Sequence, residues 1–585
     1  MIRLDDRRPA GQAWSFDAPV ATGRAETLAD VTGALAAAES RARDHHEWVV
    51  LVVAYEAAGA FDAALCTAPR PPAGTPFVWW QSFAERRPAP ALPHPADASI
   101  GAVRRRAGRL PYPAGVEEIR RRIATGDVYQ VNLCDRFDGA LAGTPLELYA
   151  ELLAAQSCEF GAYVEMDDVI VASASPEMFF EWRDDRLTCR PMKGTARRQS
   201  RAADDVAAGA ALVASTKDRA ENVMIVDLLR NDLGRIARVG SVAVPELFRL
   251  ERYETVWQLT STVTATVGAD TSLGDVFGAL FPCGSVTGAP KVAAMATIAE
   301  LEAAPRGVYC GAIGVLAPPD SEPRAVFSVP IRTAVIDPVS SRFEYGAGAG
   351  ITWSSDAAEE DREVDAKTRI LAHRLPEFSL LETLRLDDDG VRHAAEHLAR
   401  MAASAEWFGV PFDRDAADAL LAEVAAQRAT TGGGAAPVER LRLLLATDGS
   451  LTVERSPLVV DGGGPVRLAV DSVVTRSDDP LCCHKTTARE HYEAARRRHP
   501  HADDVVLVNE VGHVIETTIA NLAVRTAGRW WCPPLSDGGL AGIARQAAIE
   551  CGQLAERSFT PAELRTADEL AVLNDLRGWR RAVLD

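Results

Sequence analysis

The feature that most constrains this chain is a sustained alternation of short, strand-like apolar runs with amphipathic helical stretches. WVVLVVAY from 48, VIVASA from 169, RLRLLLA from 440 and DVVLVN from 504 have the length and β-branched content of strands. GVEEIRRRIATG from 115 and KDRAENVMIVDLLRND from 217 instead space their apolar residues as helices do. A mixed α and β architecture follows. At 585 residues the chain exceeds what one core organises, and length predicts either about four domain-sized units or two large ones. No internal repeat emerges that would make it a solenoid. The proline-rich segment 86–95, RRPAPALPHP, reads as a surface connection, because proline neither donates to a ladder nor continues a helix. A charged helical run ending in AHRLP gives way to FSLLETLRL. That break predicts one domain over 1–372 (an N-terminal subregion 1–110 and a core 111–372), a linker 373–378, and a second domain over 379–585.

Composition narrows the function classes. Lys and Arg number 63 against 82 Asp and Glu, a net charge of −19 with no long basic stripe, so nucleic acid is not the expected partner. A local cationic cluster can still hold a small anion whatever the global charge. Ten scattered cysteines without a CxxC pair predict reduced thiols, and Cys310 within GVYCGAIG reads as structural. The charged start MIRLDDRRPAGQ and the shortness of every apolar run predict neither export nor membrane insertion, hence a cytoplasmic protein.

Chemistry concentrates in two stretches. In the first, SPEMFFEW, a turn, and LTCRPMKGTARR read as strands carrying Glu177 and Lys193 towards one place. Glu221 lies on the helical segment from 217, and Glu360 and Glu363 stand at i and i+3 on another, so acidic helices can converge on a hard cation. FPCGSVTGAPK imitates a phosphate loop but fails its spacing, since Ala289 and Pro290 intervene between Gly288 and Lys291.

These blocks together, SPE (175–177), PMKGT (191–195), KDRAENVMIVDLLRNDLG (217–234), FPCGSVTGAPK (281–291), GVYCGAIG (307–314), IRT (331–333) and GAGAGITWSSD (346–356), resemble the chorismate-utilising enzymes. Lys193, within PMKGT, resembles the aminodeoxychorismate synthase branch. The resemblance implies a two-layer α/β sandwich on large, mostly antiparallel sheets. It also implies that the Lys193 amine attacks chorismate and that Glu177 acts as general acid. Covalent catalysis of this kind needs a neutral amine, yet only about one free lysine in 2,500 is neutral at pH 7. Glu221 and Glu363, with Glu360 beside them, are the implied Mg²⁺ ligands. Arg332, Lys291, Gly348 and Thr195 are the implied substrate contacts. Gln258 stands where many relatives have His, which disfavours water chemistry. Ammonia is expected from a separate glutamine amidotransferase subunit.

In the second stretch, FSLLETLRL, EHLARMAASAEWFG, CCHKTTAREHYEAA, DDVVLVNEVGHVIETTIANLAV and CPPLSDGGLAGIARQ resemble, in order, the fold-type IV pyridoxal-phosphate enzymes, and among them aminodeoxychorismate lyases. The resemblance implies two α/β subdomains and a possible homodimer through this domain. Lys485 would bind pyridoxal phosphate, with Glu516 at its ring nitrogen. Arg400 and the amides of Ile543 and Ala544 would hold its phosphate. Ala520 departs from the Ser that relatives often carry. The whole then reads as a fusion forming 4-aminobenzoate. The alternatives are a synthase whose second domain is inactive or different, and an anthranilate synthase-like enzyme.

Overall fold

The computed structural model describes residues 1–8, 11–93, 99–155, 158–253, 256–371, 376–430, 437–459 and 463–585. Part of the linker expected at 373–378, and the end of the 86–95 connection, lie outside them. Two compact units result: Met1–Arg197 with Gly209–Leu375, and Arg198–Ala208 with Pro376–Asp585. The second unit thus draws eleven residues, 198–208, from within the first half of the chain. A contiguous boundary at 373–378 omits them. Arg198 donates to Asp205 (2.6 Å) and to the Trp407 carbonyl (2.9 Å), and the Trp407 indole donates to the Gln199 carbonyl (2.7 Å).

The first unit contains an eleven-stranded and a ten-stranded sheet among the described residues, with antiparallel pairing throughout. The strand Trp48–Val53 shows how its sequence builds layers. Val49, Leu51 and Val53 join a cluster that includes Val31, Leu35 and Ala38 of the helix Val31–His45. Val50 and Val52 join Val164 and Val171 of the other sheet. Side chains alternate across a strand, so a run apolar at every position is buried on both faces. Each sheet therefore backs onto its own helices, the α/β layering expected, and the two sheets meet through their inner faces.

The second unit has a four-stranded antiparallel sheet, built on Leu380–Asp387, and a mixed eight-stranded sheet that includes Asp504–Asn509 and Val514–Thr517. These are the two subdomains. No helix among the described residues is long and apolar enough to cross a membrane, and all ten cysteines are free.

Candidate active sites

Lys193 owes its position to a local irregularity. In the strand Met192–Arg197, Met192 pairs with Thr260 and Thr195 with Gln258, so Lys193 and Gly194 together face the single residue Leu259. Such a bulge bends the strand and re-aims a side chain. Gly194 follows with φ of +94°, a conformation that glycine adopts at little cost. The helix Thr216–Gly234, capped by Ser215, packs alongside, and its Asn222 donates to the Lys193 carbonyl (3.0 Å) while accepting from Ser261 (2.5 Å). Asn222 was not singled out from sequence, because an asparagine inside a helix carries no spacing signal.

Lys193 lines a cavity of about 220 Å³ together with Glu177, Thr195, Glu221, Arg332, Gly348, Glu360 and Glu363. The glycine-rich strand Arg342–Ile351 forms one wall, and its small residues make room. A Cβ added at Gly350 would strike the Lys193 Nζ. Burial lowers the Lys193 pKa, with Lys367 adding to the effect and Glu221, Glu177 and Glu363 opposing it. Glu177 is 3% exposed, and burial raises it to about 7 against the opposing pull of Ser285 and Lys193. Its Oε1 has no hydrogen-bond partner among the described residues. An amine biased towards neutrality and a carboxyl biased towards its acid form thus share one cavity.

Lys291 is not brought to this cavity. Its ammonium is held by Asp232 (2.8 Å) and the Leu280 carbonyl (3.0 Å), away from the residues that line it. Lys367, to which the sequence reading gave no role, does line the cavity. Its ammonium donates to the Gly348 carbonyl (2.9 Å) and pairs with Glu363 (2.6 Å). Thr195 donates to Gln258 (2.9 Å), so the glutamine in the place of the expected histidine is itself part of the wall.

The three carboxylates proposed for Mg²⁺ share the cavity, but among the described residues no three His, Cys, Asp or Glu side chains form a ready-made metal cage. Glu363 is taken up by Lys367, and Glu221 accepts from Thr352 (3.2 Å). The donor set nevertheless fits this ion, which takes one or two carboxylates and completes its shell with water and substrate oxygens. Burial raises both Glu221 and Glu360, against the opposing pull of Lys193 and Lys217 on the first and of Lys367 and Lys217 on the second, and Glu363 raises Glu360 further.

In the second unit, burial pushes Lys485 down to about 8, helped by Arg400 and Arg489 and opposed by Glu382 and Glu516. Glu516 is buried at the end of the strand Val514–Thr517 and raised to about 7 by that burial. It accepts from Tyr492 (2.8 Å), Asn521 (3.2 Å) and the Leu540 amide (3.2 Å). Arg400 donates twice to Glu382 (2.8 and 2.6 Å) and once to the Ala541 carbonyl (2.7 Å). That last bond sets its guanidinium beside the helix Ile543–Glu550, whose first amides have no partners within the helix. A Cβ at Gly542 would strike Asn521 Oδ1, so the cradle leading into that helix admits no side chain. A guanidinium, a helix N-terminus, a lysine and a carboxyl are the donor set that pyridoxal phosphate requires, and the residues fit it. Glu382, Tyr492 and Asn521 escaped the sequence reading, since each acts by holding a neighbour.

Residues 7–373 match the model of the chorismate binding enzyme family. The chain belongs to that family. Residues 379–583 match the model of the class IV amino-transferases. This chorismate-binding chain is 40% identical over 270 residues to aminodeoxychorismate synthase component 1 of Klebsiella aerogenes, covering 46% of this chain and 58% of that one. It is also 40% identical over 296 residues to aminodeoxychorismate synthase of Streptomyces griseus, covering 50% of this chain and 40% of that one. The chain thus spans about half the length of these curated relatives. The crystal structure of anthranilate synthase component I from Streptococcus pneumoniae shares the chorismate-binding fold, with a TM-score of 0.52 at 24% identity over 62% of this chain and 92% of that one.

Proposed function

We propose that the chain is a bifunctional enzyme of 4-aminobenzoate formation. Its first unit converts chorismate and ammonia to 4-amino-4-deoxychorismate, and its second eliminates pyruvate from that intermediate. The observation that carries the reading is the meeting of Lys193, Glu177 and Arg332 in one cavity of small-molecule size. Arg332 binds a substrate carboxylate, a planar guanidinium suiting the task best. Glu177 protonates the C4 hydroxyl, which leaves as water while the neutral Lys193 amine bonds to C2 and both double bonds of the ring shift one place towards C4. Ammonia then bonds to C4 as the C2–Nζ bond breaks. Glu221, Glu363 and Glu360 would hold magnesium, which when bound supplies positive charge against the departing hydroxyl.

In the second unit Arg400 and the amides of Ile543 and Ala544 would hold the phosphate of pyridoxal phosphate, and Glu516 would face its ring nitrogen. When bound, the cofactor supplies an electron sink. Lys485 takes the proton from C4 of the amino substrate, and departure of pyruvate leaves an aromatic ring. We assign ammonia supply to a separate glutamine amidotransferase subunit, in keeping with the designation component 1 carried by a relative.

The test is product analysis with chorismate, ammonium, Mg²⁺ and pyridoxal phosphate, each omitted in turn. The complete mixture is expected to give 4-aminobenzoate, and omission of pyridoxal phosphate to leave 4-amino-4-deoxychorismate. Anthranilate as the product overturns the first assignment. Accumulation of 4-amino-4-deoxychorismate in the complete mixture overturns the second.

A further inference from the structure

Gln130 opens the strand Gln130–Ala142 and pairs there with Ala289. It is 0% exposed, and neither Oε1 nor Nε2 of its carboxamide has a hydrogen-bond partner among the described residues. Buried amides are almost always paired, so a fully orphaned one marks a place where something else binds. Its neighbourhood says where. A Cβ at Gly350, in the cavity wall, would strike both the Lys193 Nζ and the Gln130 Nε2, so amine and amide lie against the same glycine. Asn132, two residues along and therefore on the same face of the strand, lines the cavity.

We infer that the Gln130 carboxamide docks the incoming ammonia beside Lys193, an inference that rests on the proposed role of that lysine. A carboxamide offers one acceptor oxygen and two N–H donors. Its complement is a small neutral molecule that both donates and accepts, which ammonia does and ammonium, lacking a lone pair, does not. Docked there, ammonia donates to Oε1 and accepts from the Nε2 N–H; as it advances on C4 it keeps the first bond, gives up the second and turns its lone pair to the carbon. The C4–N bond forms, both ring double bonds shift back along C4–C5–C6–C1–C2, and the C2–Nζ bond of the protonated secondary amine breaks. Lys193 leaves as a neutral amine, and the positive charge passes to the new C4 ammonium group. Gln130 forms and breaks no covalent bond. It is a positioning residue for the second half of the amination.

Separating the two halves tests this. With chorismate and Mg²⁺ but no ammonium, intact-mass analysis reads the Lys193 adduct, and steady-state assays with ammonium chloride then read the KM for ammonium. Gln130→Met, nearly the same size but apolar, is expected to form the adduct as the parent does, keep its KM for chorismate, and raise the KM for ammonium by about tenfold or more, the worth of one or two lost hydrogen bonds. Gln130→Glu, which keeps an oxygen at the same reach, is expected to recover part of that loss. An unchanged KM for ammonium in a folded Gln130→Met chain overturns the inference and leaves the Lys193 assignment standing, the orphaned amide then serving only a structural water. Absence of an adduct in the parent chain overturns the Lys193 assignment itself, and the inference with it. If Gln130→Met does not fold, Gln130→Asn decides by the same two readings, since its shorter amide draws back from the site.

Discussion

Two half-buried lysines organise this molecule, and the balance of charge around them differs. Lys193 feels the carboxyls of Glu177, Glu221 and Glu363 against one cation, Lys367, whereas Lys485 feels two guanidiniums, Arg400 and Arg489, matched by two carboxyls, Glu382 and Glu516. Burial depresses both amines, but the remaining charge differs in what it invites. Surplus carboxylate around the first calls for a cation. Paired arginine and an open helix start around the second call for a phosphate. The same residue type is thus prepared for two chemistries by the balance of acids and bases around it.

The largest expected effect separates the two outright. Lys193→Ala should reduce amination of chorismate by a thousandfold or more, on the order of losing a covalent nucleophile, while conversion of supplied 4-amino-4-deoxychorismate continues. Lys485→Ala should do the reverse and abolish the visible absorbance of bound pyridoxal phosphate. A variant that silences both activities would show that the sites are not independent. Next in size, Glu177→Gln keeps the shape and removes the acid, and should cost about 10²–10⁴-fold in adduct formation. Because burial raises Glu177 to about 7, the parent's proton-donating fraction falls as pH rises through that value, and the fall should be missing from the residual rate of the variant. Gly350→Ala should slow the first reaction by about a hundredfold through displacement of the Lys193 amine, the effect of a misplacement on the order of 1 Å, and leave the second untouched.

How far this contrast was legible in the sequence depends on whether a residue acts alone or by holding another. Lys193, Glu177, Glu221, Lys485 and Glu516 were named from their motifs, and the strand and helix periods predicted the mixed architecture. Lys291 was drawn to the substrate on the same grounds, yet Asp232, 59 residues earlier, binds it. Motif order does not reveal which acid a lysine meets after folding. Nor does it reveal that Glu382 clamps Arg400, because periodicity specifies which face is buried and not what lies against it, whereas the Glu363–Lys367 pair is one that i, i+4 spacing on a helix does announce.

Glu382 supplies the smallest predicted effect, one of stability. Burial alone would raise its carboxyl, but Arg400 and His397 hold it down to about 2 from the ordinary 4.5. A depressed acid contributes stability in full above its unfolded value and loses it as pH falls through the folded one. The second unit should therefore lose thermal stability between about pH 4.5 and 2, and Glu382→Gln should flatten that decline in a melting series. A decline of equal steepness in the variant would assign the acid sensitivity to other carboxylates.

The excursion of Arg198–Ala208 into the second unit has a practical corollary. The backbone passes from one unit to the other at 197, returns at 208 and leaves again at 375, so no single scissor cut yields both halves whole. A fragment that starts at 376 forfeits the partners of Trp407, whose carbonyl and indole are bound by Arg198 and Gln199. Anyone wishing to host the halves on separate plasmids would have to graft that short piece back.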